Sequence, residues 1–245
     1  MDLVIDVGNT FAKLAIFNSD GLMVHRSTII VLDLIDKLKE LDELFPKLEW
    51  CLISSVGLVD SKDLQYLENR YTLLHLTSDL SVAFNNKYKT PKTLGVDRIA
   101  LVSAVYAQYP KTNVLIIDAG TCVTYDFIDA EGSYYGGAIS PGLTMRYKAM
   151  HTFTEKLPLL ERNESVFLTG SSTTEAMDSG VICGITFEID GYINAYRKKY
   201  PDLTIVLTGG DAQFLRDNIK NDIFVNTNLL LEGLFNILNY NKDIS

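Results

Sequence analysis

Two stretches of this chain end a β-like apolar run with an acid, a glycine and small hydrogen-bonding residues. Asp6-Val7-Gly8-Asn9-Thr10 follows Leu3-Val4-Ile5, and Asp118-Ala119-Gly120-Thr121 follows Val114-Leu115-Ile116-Ile117. The glycine lets the backbone fold back closely, and Asn9 and Thr10 put side-chain donors beside open backbone N–H groups. Such a turn cradles phosphate and sets its carboxylate to hold Mg²⁺ through water. Lys13, one hairpin position further, adds a cation near the same phosphates. A hairpin whose Asp and Asn cap only their own turn is the plain alternative. Recurrence of the device in each half, with Thr208-Gly209-Gly210-Asp211 after a third apolar run, favours the phosphate reading. The Gly-Gly pair lets a nucleotide lie against the backbone, although a simple strand-to-helix turn uses the same residues. Gly95-Val96-Asp97-Arg98 opens a helical pattern, where outward N–H groups favour anions. An acid beside a base there, after a long polar loop, suits an acceptor site; a first-turn Asp next to a surface Arg is the blander account.

The elements that must carry these residues follow from spacing. The opening segment predicts strand, tight turn, strand and a second turn at Gly21, with a third strand over 23–30. Leu34, Ile35, Leu38, Leu41 and Phe45 recur at helical spacing over about 33–45. Trp50 to Val56 reads as a buried strand, 61–69 as a helix and 72–76 as a strand. Residues 78–93 are polar and aperiodic, a loop long enough to be functional. Ile99, Val102, Val105, Tyr106 and Tyr109 then mark a helix ended by Pro110. The opening pattern returns after it: with Asp6 set on Asp118, Gly8 falls on Gly120 and Gly21 one residue from Gly132. That offset, nearly half the chain, predicts a duplicated unit with a boundary near 110–113, giving domains 1–112 and 113–245. In the second half, Gly136 to Gly142 reads as a strand-to-loop break before a helix around 143–151. Ser172-Thr173-Thr174-Glu175 has the form of a capping box, heading a helix to about Tyr196. Gly180, Gly184 and Gly191 in that helix cost propensity but allow close packing. Leu203 to Leu207 predicts a strand and 228–239 a closing helix. Strand-rich starts followed by helices, twice over, indicate an α/β protein with mixed sheets.

Composition limits what such sites serve. With 245 residues, 47% apolar and 22% charged, the chain is ordinary globular material, long enough for a buried core. Lys plus Arg number 22 against 31 for Asp plus Glu, a net charge of −9. An extended nucleic-acid face needs clustered cations, so no nucleic-acid partner is expected and any bound phosphate is small and held locally. No apolar run nears the roughly 18 residues of a membrane helix, and the acidic N-terminus has no basic leader, so no membrane partner is expected either. Cys51, Cys122 and Cys183 lie far apart with no metal-ligand spacing. They fit reduced thiols in the cytoplasm and argue against structural zinc. Neither GxxxxGKS/T nor GxGxxG occurs, which disfavours a P-loop kinase and a dinucleotide enzyme. His25, His75 and His151 belong to no motif and read as structural, while Asp126 and Asp211 lie near motifs without a catalytic case.

The arrangement resembles the actin, hexokinase and Hsp70 superfamily, where two related domains each give an acid-glycine hairpin to the ATP phosphates. Five segments occur in a telling order: Asp6-Val7-Gly8-Asn9-Thr10, Gly95-Val96-Asp97-Arg98, Asp118 through Asp126, Gly136-Gly137-Ala138-Ile139-Ser140-Pro141-Gly142, and Thr208-Gly209-Gly210-Asp211. Together they resemble type III pantothenate kinase over residues 6–211, with a similar closing helix around Leu231-Glu232-Gly233-Leu234. The resemblance implies two duplicated actin-like (ribonuclease H-like) domains with mixed sheets and an interdomain ATP cleft. It implies transfer of the ATP γ-phosphate to the primary hydroxyl of pantothenate, the first committed step towards coenzyme A. Carried over residue by residue, Asp6, Val7, Gly8, Asn9, Thr10, Phe11, Ala12 and Lys13 form the first ATP phosphate loop, with Asp6 holding Mg²⁺ through water. Asp97 is the base. Gly95, Val96, Asp97 and Arg98 hold pantothenate together with Tyr88 from the loop before. Asp118 ligates a monovalent cation, K⁺ or NH₄⁺, and Thr121 touches ATP. Thr173 contacts substrate across a homodimer. Cys122 stands where the family usually has Ala, and the Leu157-Pro158-Leu159 segment has less standard neighbours in Lys156 and Leu160; neither touches the residues expected to act.

Two other readings compete. Another kinase or phosphatase of the superfamily, such as an acetate, sugar or polyphosphate enzyme, leaves the Gly95–Arg98 helix start unexplained. A non-catalytic ATP switch or filament subunit has no need of Asp97 beside two intact hairpins.

Overall fold

Alternating side chains in β1 (Asp2–Val7) and β2 (Phe11–Phe17) divide between two faces of a sheet. Leu3, Ile5, Val7, Ala12, Leu14 and Ile16 enter one core, which turns Asp6 and Lys13 to the opposite face. The two strands pair antiparallel with Asp6 opposite Lys13. β3 (Met23–Ile30) adds antiparallel to β2. On the other flank β4 (Trp50–Ser55) and β5 (Thr72–His75) run parallel to β1, in the order β3-β2-β1-β4-β5. α1 (Leu34–Leu44) and α2 (Ser61–Arg70) cover the core face with Leu34, Leu38, Leu41 and Leu67. This computed structural model describes residues 1–55, 59–164 and 167–242; Val56, expected to end the fourth strand, lies outside them. The long polar loop holds a two-residue strand, β6 (Asn85–Asn86), and a 3₁₀ turn at Pro91–Thr93 before α3 (Val96–Gln108).

Five strands of the six-stranded second sheet repeat the first sheet strand for strand. β7 (Val114–Ala119), β8 (Cys122–Ile128) and β9 (Ser133–Pro141) form the antiparallel part, and β10 (Thr204–Thr208) and β11 (Phe224–Val225) the parallel part, in the order β9-β8-β7-β10-β11. The turns repeat too. Asn18 Oδ1 accepts from the N–H groups of Asp20 and Leu22, as Asp129 Oδ1 does from those of Glu131 and Ser133. Gly21 and Gly132 close these turns at φ of 78° and 76°, a backbone that favours glycine. Val7 pairs with Ala12, and Ala119 with Val123. The second hairpin therefore has one residue fewer between its strands, which explains why the two turn glycines fall one residue out of step.

The segment around Gly136–Gly142 continues as β9 rather than breaking after Gly136, since Gly136 to Pro141 keep pairing with Phe127 to Cys122. Behind this sheet, α4 (Leu143–Thr152) and a long helix bury Leu143, Tyr147, Ile185, Ile189 and Ile193 against Leu115, Ile117 and Tyr125. That long helix starts as α5 (Thr173–Asp178), widens through a π turn at Ser179–Cys183, and continues as α6 (Gly184–Lys199). Among the described residues its glycines do not serve close packing: a Cβ on Gly180, Gly184 or Gly191 meets nothing within 4 Å. A short α7 (Ala212–Arg216) follows β10.

The chain separates into two units, Met1–Gln108 with the segment from Asn228 onward, and Tyr109–Thr227. The closing helix α8 (Leu229–Lys242) thus belongs with the first sheet, not with the second as a 113–245 domain would have it. Packing decides this: Phe235 stacks on Phe17 with ring centroids 4.1 Å apart, and a Cβ on Gly233 would collide with the Ala100 carbonyl of α3.

Candidate active site

In the first hairpin, the Gly8 N–H donates to the Phe11 carbonyl at 3.0 Å, leaving Asn9, Thr10 and Phe11 exposed at the tip. Beneath them lies Asp6. Its register partners are Lys13 on β2 and Ser54 on β4. Ser54, 1% exposed, donates its hydroxyl to the Asp6 carboxylate. Burial pushes the Asp6 carboxyl up; the Lys13 ammonium pulls it down, and the charge of Asp97 raises it again. Asp6, Lys13, Ser54 and Asp97 therefore share one electrostatic neighbourhood. Asp97 sits in the first turn of α3, where its Oδ1 accepts the Arg98 N–H at 2.9 Å. A Cβ on Gly95 would meet that carboxylate where it now lies. Arg98 is buried, and its guanidinium lies 5.6 Å from the centre of the Tyr88 ring, a cation–π distance. The expected acceptor residues Tyr88, Gly95, Val96, Asp97 and Arg98 are thus gathered around one helix start.

In the second hairpin, the Gly120 N–H donates to the Cys122 carbonyl at 2.9 Å and the Gly142 N–H to the Thr121 carbonyl at 3.0 Å. Thr121 is exposed at the tip. Asp118 stands between Thr124 of β8 and Thr208 of β10 in register. A Cβ on Gly209 would collide with its Oδ1. The Thr124 hydroxyl oxygen is buried with no hydrogen-bond partner among the described residues. The corner after β9 is braced by Arg146, whose Nε donates to the Pro141 carbonyl at 2.8 Å. Its Nη2 donates to Ser140 Oγ at 3.0 Å and to Glu188 at 2.5 Å, and Tyr125 OH donates to Glu188 at 2.9 Å. Burial would raise the Glu188 carboxyl, yet hydrogen bonds from Arg146, Ser140 and Tyr125 hold it below the usual range.

Other acids near the motifs are engaged elsewhere. Asp126 accepts the Tyr134 hydroxyl at 2.6 Å inside the sheet, and Asp211 pairs with Arg162 at 2.9 Å. Thr173 lies exposed at the start of α5. Ser172 caps that helix by accepting the Glu175 N–H, but Glu175 accepts from Ser171 rather than completing a box with Ser172. Sequence reading missed Ser54, Thr124, Arg146 and Glu188, since cross-strand neighbours and residues joined across 42 positions have no motif spacing. Thr124 takes the place of Lys13 only through the register of the shorter hairpin, since the sequence offset that sets Asp6 on Asp118 puts Tyr125 there.

A family model for type III pantothenate kinase matches residues 2–195. A type III pantothenate kinase from Christiangramia forsetii is 47% identical over 242 residues, covering 99% of each chain. The chain belongs to the type III pantothenate kinase family. Among solved structures, one described as a conserved Baf family transcriptional activator from Campylobacter jejuni aligns with a TM-score of 0.63 and 25% identity, covering 98% of this chain and 99% of the other. A ROK hexokinase from Thermus thermophilus aligns at a TM-score of 0.51 and 10% identity over 98% of this chain and 99% of its own. That second likeness shows the fold: duplicated actin-like halves with mixed sheets, as expected for a type III pantothenate kinase. Among the described residues no helix is long and apolar enough to cross a membrane.

Proposed function

We propose that this chain transfers the γ-phosphate of Mg-ATP to the primary hydroxyl of pantothenate, giving 4'-phosphopantothenate, with Asp97 as the base. The observation that carries this reading is the placement of Asp97: at a helix start, beside Arg98 and Tyr88, and within electrostatic reach of Asp6. Phosphoryl transfer asks little covalent chemistry of the protein, so positioning and charge neutralisation dominate. Asp97 orients the alcohol and accepts its proton late, for which an ionised carboxylate at a helix N-terminus is suited. Arg98 and Tyr88 hold the acceptor, with Gly95 and Val96 forming the backbone floor. The exposed tip from Gly8 to Phe11 and Thr121 contact ATP, and Ala12 and Lys13 continue the first loop, with the Lys13 ammonium adding charge.

Asp6 would hold the Mg²⁺ of Mg-ATP, which would supply positive charge at the phosphates. Asp118 would hold a monovalent cation, K⁺ or NH₄⁺, which would supply fixed positive charge near the phosphates. The residues present fit it: one carboxylate beside a buried oxygen donor that lacks a partner. A homodimer in the cytoplasm completes the reading, with Thr173 reaching the partner's substrate. Its support is the uncovered glycine face of α5–α6 together with Phe187, 55% exposed on the same helix.

The test is ADP release from Mg-ATP with and without pantothenate, in K⁺ and then in Na⁺ buffer. Pantothenate-dependent release is expected. Asp97→Asn should lower turnover roughly 10²–10⁴-fold, the range for a lost general base. A loss below tenfold in a folded variant removes Asp97 from that role, and release that ignores pantothenate points to another acceptor.

A further inference from the structure

The repeat places unlike residues at one equivalent site. In the first unit Asp6 faces Lys13 across the hairpin, with Ser54 on its other side. In the second unit Asp118 faces Thr124 across the hairpin, with Thr208 on its other side. Both carboxylates lie on the sheet face opposite the helix-covered cores, because Ile5, Val7, Ile117 and Ala119 fill those cores. One carboxylate therefore has an ammonium built into the chain beside it, while the other has a hydroxyl. That hydroxyl, Thr124 Oγ1, is buried and makes no hydrogen bond among the described residues. Directly opposed residues on one face of an antiparallel pair have Cβ atoms about 5 Å apart, so Thr124 and Asp118 border the same small volume. Leaving a buried hydroxyl unmet is costly, and the lone pairs of this oxygen are available to a bound ion.

We propose that Thr124 is a ligand of a monovalent cation, shared with Asp118 and bordered by Thr208, which occupies the place that the Lys13 ammonium holds in the first unit. Donor chemistry selects the class. One carboxylate with neutral hydroxyl oxygens carries a single negative charge, which balances one positive charge. Divalent ions call for several carboxylates or a substrate phosphate. The ion fills the same electrostatic role as a lysine, held by coordination instead of by a side chain. This inference rests on the reading of Asp118 as the cation site.

The experiment compares the full chain with Thr124→Val, Thr124→Ser, Thr124→Lys and Asp118→Asn. Thermal midpoints are taken in KCl and in choline chloride of equal ionic strength, and ADP release is titrated with K⁺. The wild type should be stabilised and activated by K⁺. Thr124→Val keeps shape and loses the donor. It should lose the K⁺-dependent thermal shift, raise the half-activating K⁺ concentration roughly tenfold or more, and melt in choline chloride no lower than the wild type. Thr124→Ser should keep both responses. Thr124→Lys rebuilds the first-unit pair, and its pantothenate-dependent ADP release should no longer need K⁺. A Thr124→Val protein that retains the wild-type thermal shift and half-activating concentration overturns the assignment. If Asp118→Asn has lost both responses in the same experiment, the fault lies with Thr124 alone; if Asp118→Asn keeps them, the reading of Asp118 fails first. A wild type indifferent to K⁺ removes both.

Discussion

The two hairpins share strand order, turn chemistry and an inward acid, yet they are finished differently. In the first, the four residues Gly8 to Phe11 separate the paired strands, and the Val31 N–H donates to the Thr10 carbonyl at 3.0 Å. In the second, the loop is one residue shorter, and Gly142 occupies the place of Val31, donating to the Thr121 carbonyl at the same 3.0 Å. The shorter loop draws the end of the third strand onto the hairpin until a Cβ at 142 would collide with the carbonyls of Gly120 and Thr121. Arg146 and Glu188 then pin that corner, a brace with no counterpart described in the first unit. One duplicated device has become a longer, open tip with Lys13 opposite its acid and a shorter, braced tip with Thr124 in that place. Duplicates diverge here through loop length, and the side chains follow from it.

Breaking the braced tip should have the largest effect. Gly142→Val installs the first-unit residue where no Cβ fits, and the expected loss exceeds about 3 kcal/mol, read by chemical denaturation. Val31→Gly in the open tip should cost only about 1 kcal/mol. Equal losses from both would erase the distinction between the tips.

Asp6→Asn comes next, with a fall in kcat/KM for Mg-ATP of roughly 10²-fold, the scale of a lost electrostatic partner. Its stability should move the other way. Burial raises the folded-state pKa of Asp6, so its favourable contribution exists below the unfolded value and disappears as pH rises through the folded one. At pH 7 the ionised carboxylate is a net cost that Asn removes, and the thermal midpoint should lie above wild type. A lower midpoint would show that Lys13 and Ser54 outweigh burial.

The smallest effect concerns the brace. The Glu188 carboxyl is held below its ordinary value, so its contribution is present above the unfolded pKa and is lost as pH falls through the folded one. Glu188→Gln should destabilise the protein by about 1 kcal/mol at pH 7, with the difference from wild type shrinking as the pH drops below 4. A pH-independent difference would assign the loss to packing.

Much of this was legible in the chain because it is local. The periodicity of Leu34, Leu38 and Leu41 gave α1, and Ile99, Val102 and Val105 gave α3. The acid-glycine turns marked both hairpins, and the one-residue slip between Gly21 and Gly132 already held the difference in loop length. What stayed hidden depends on pairing across space. β9 carries on through its glycines because β8 supplies partners for them. Ser54 meets Asp6, and Thr208 meets Asp118, only through parallel register set by helices in between. α8 was readable as a helix, but its amphipathic pattern does not say which sheet it will cover. Of the residues proposed to hold the acceptor, Gly95 to Arg98 were visible as a motif, whereas the placement of Arg98 over Tyr88 is a tertiary fact.

The return of α8 to the first sheet also sets an order of events during synthesis. Domains generally fold as units as the chain emerges, but the first unit here lacks a wall until its last residues are made: Phe17 waits for Phe235, and Asp2 and Trp50 wait for Lys242. The second unit, contiguous from Tyr109 to Thr227, has every residue it needs while the ribosome is still adding the helix that completes the first. The half translated first is thereby the half finished last, and a nascent chain stopped just short of Asn228 would carry a folded second unit behind an N-terminal sheet with one face bare.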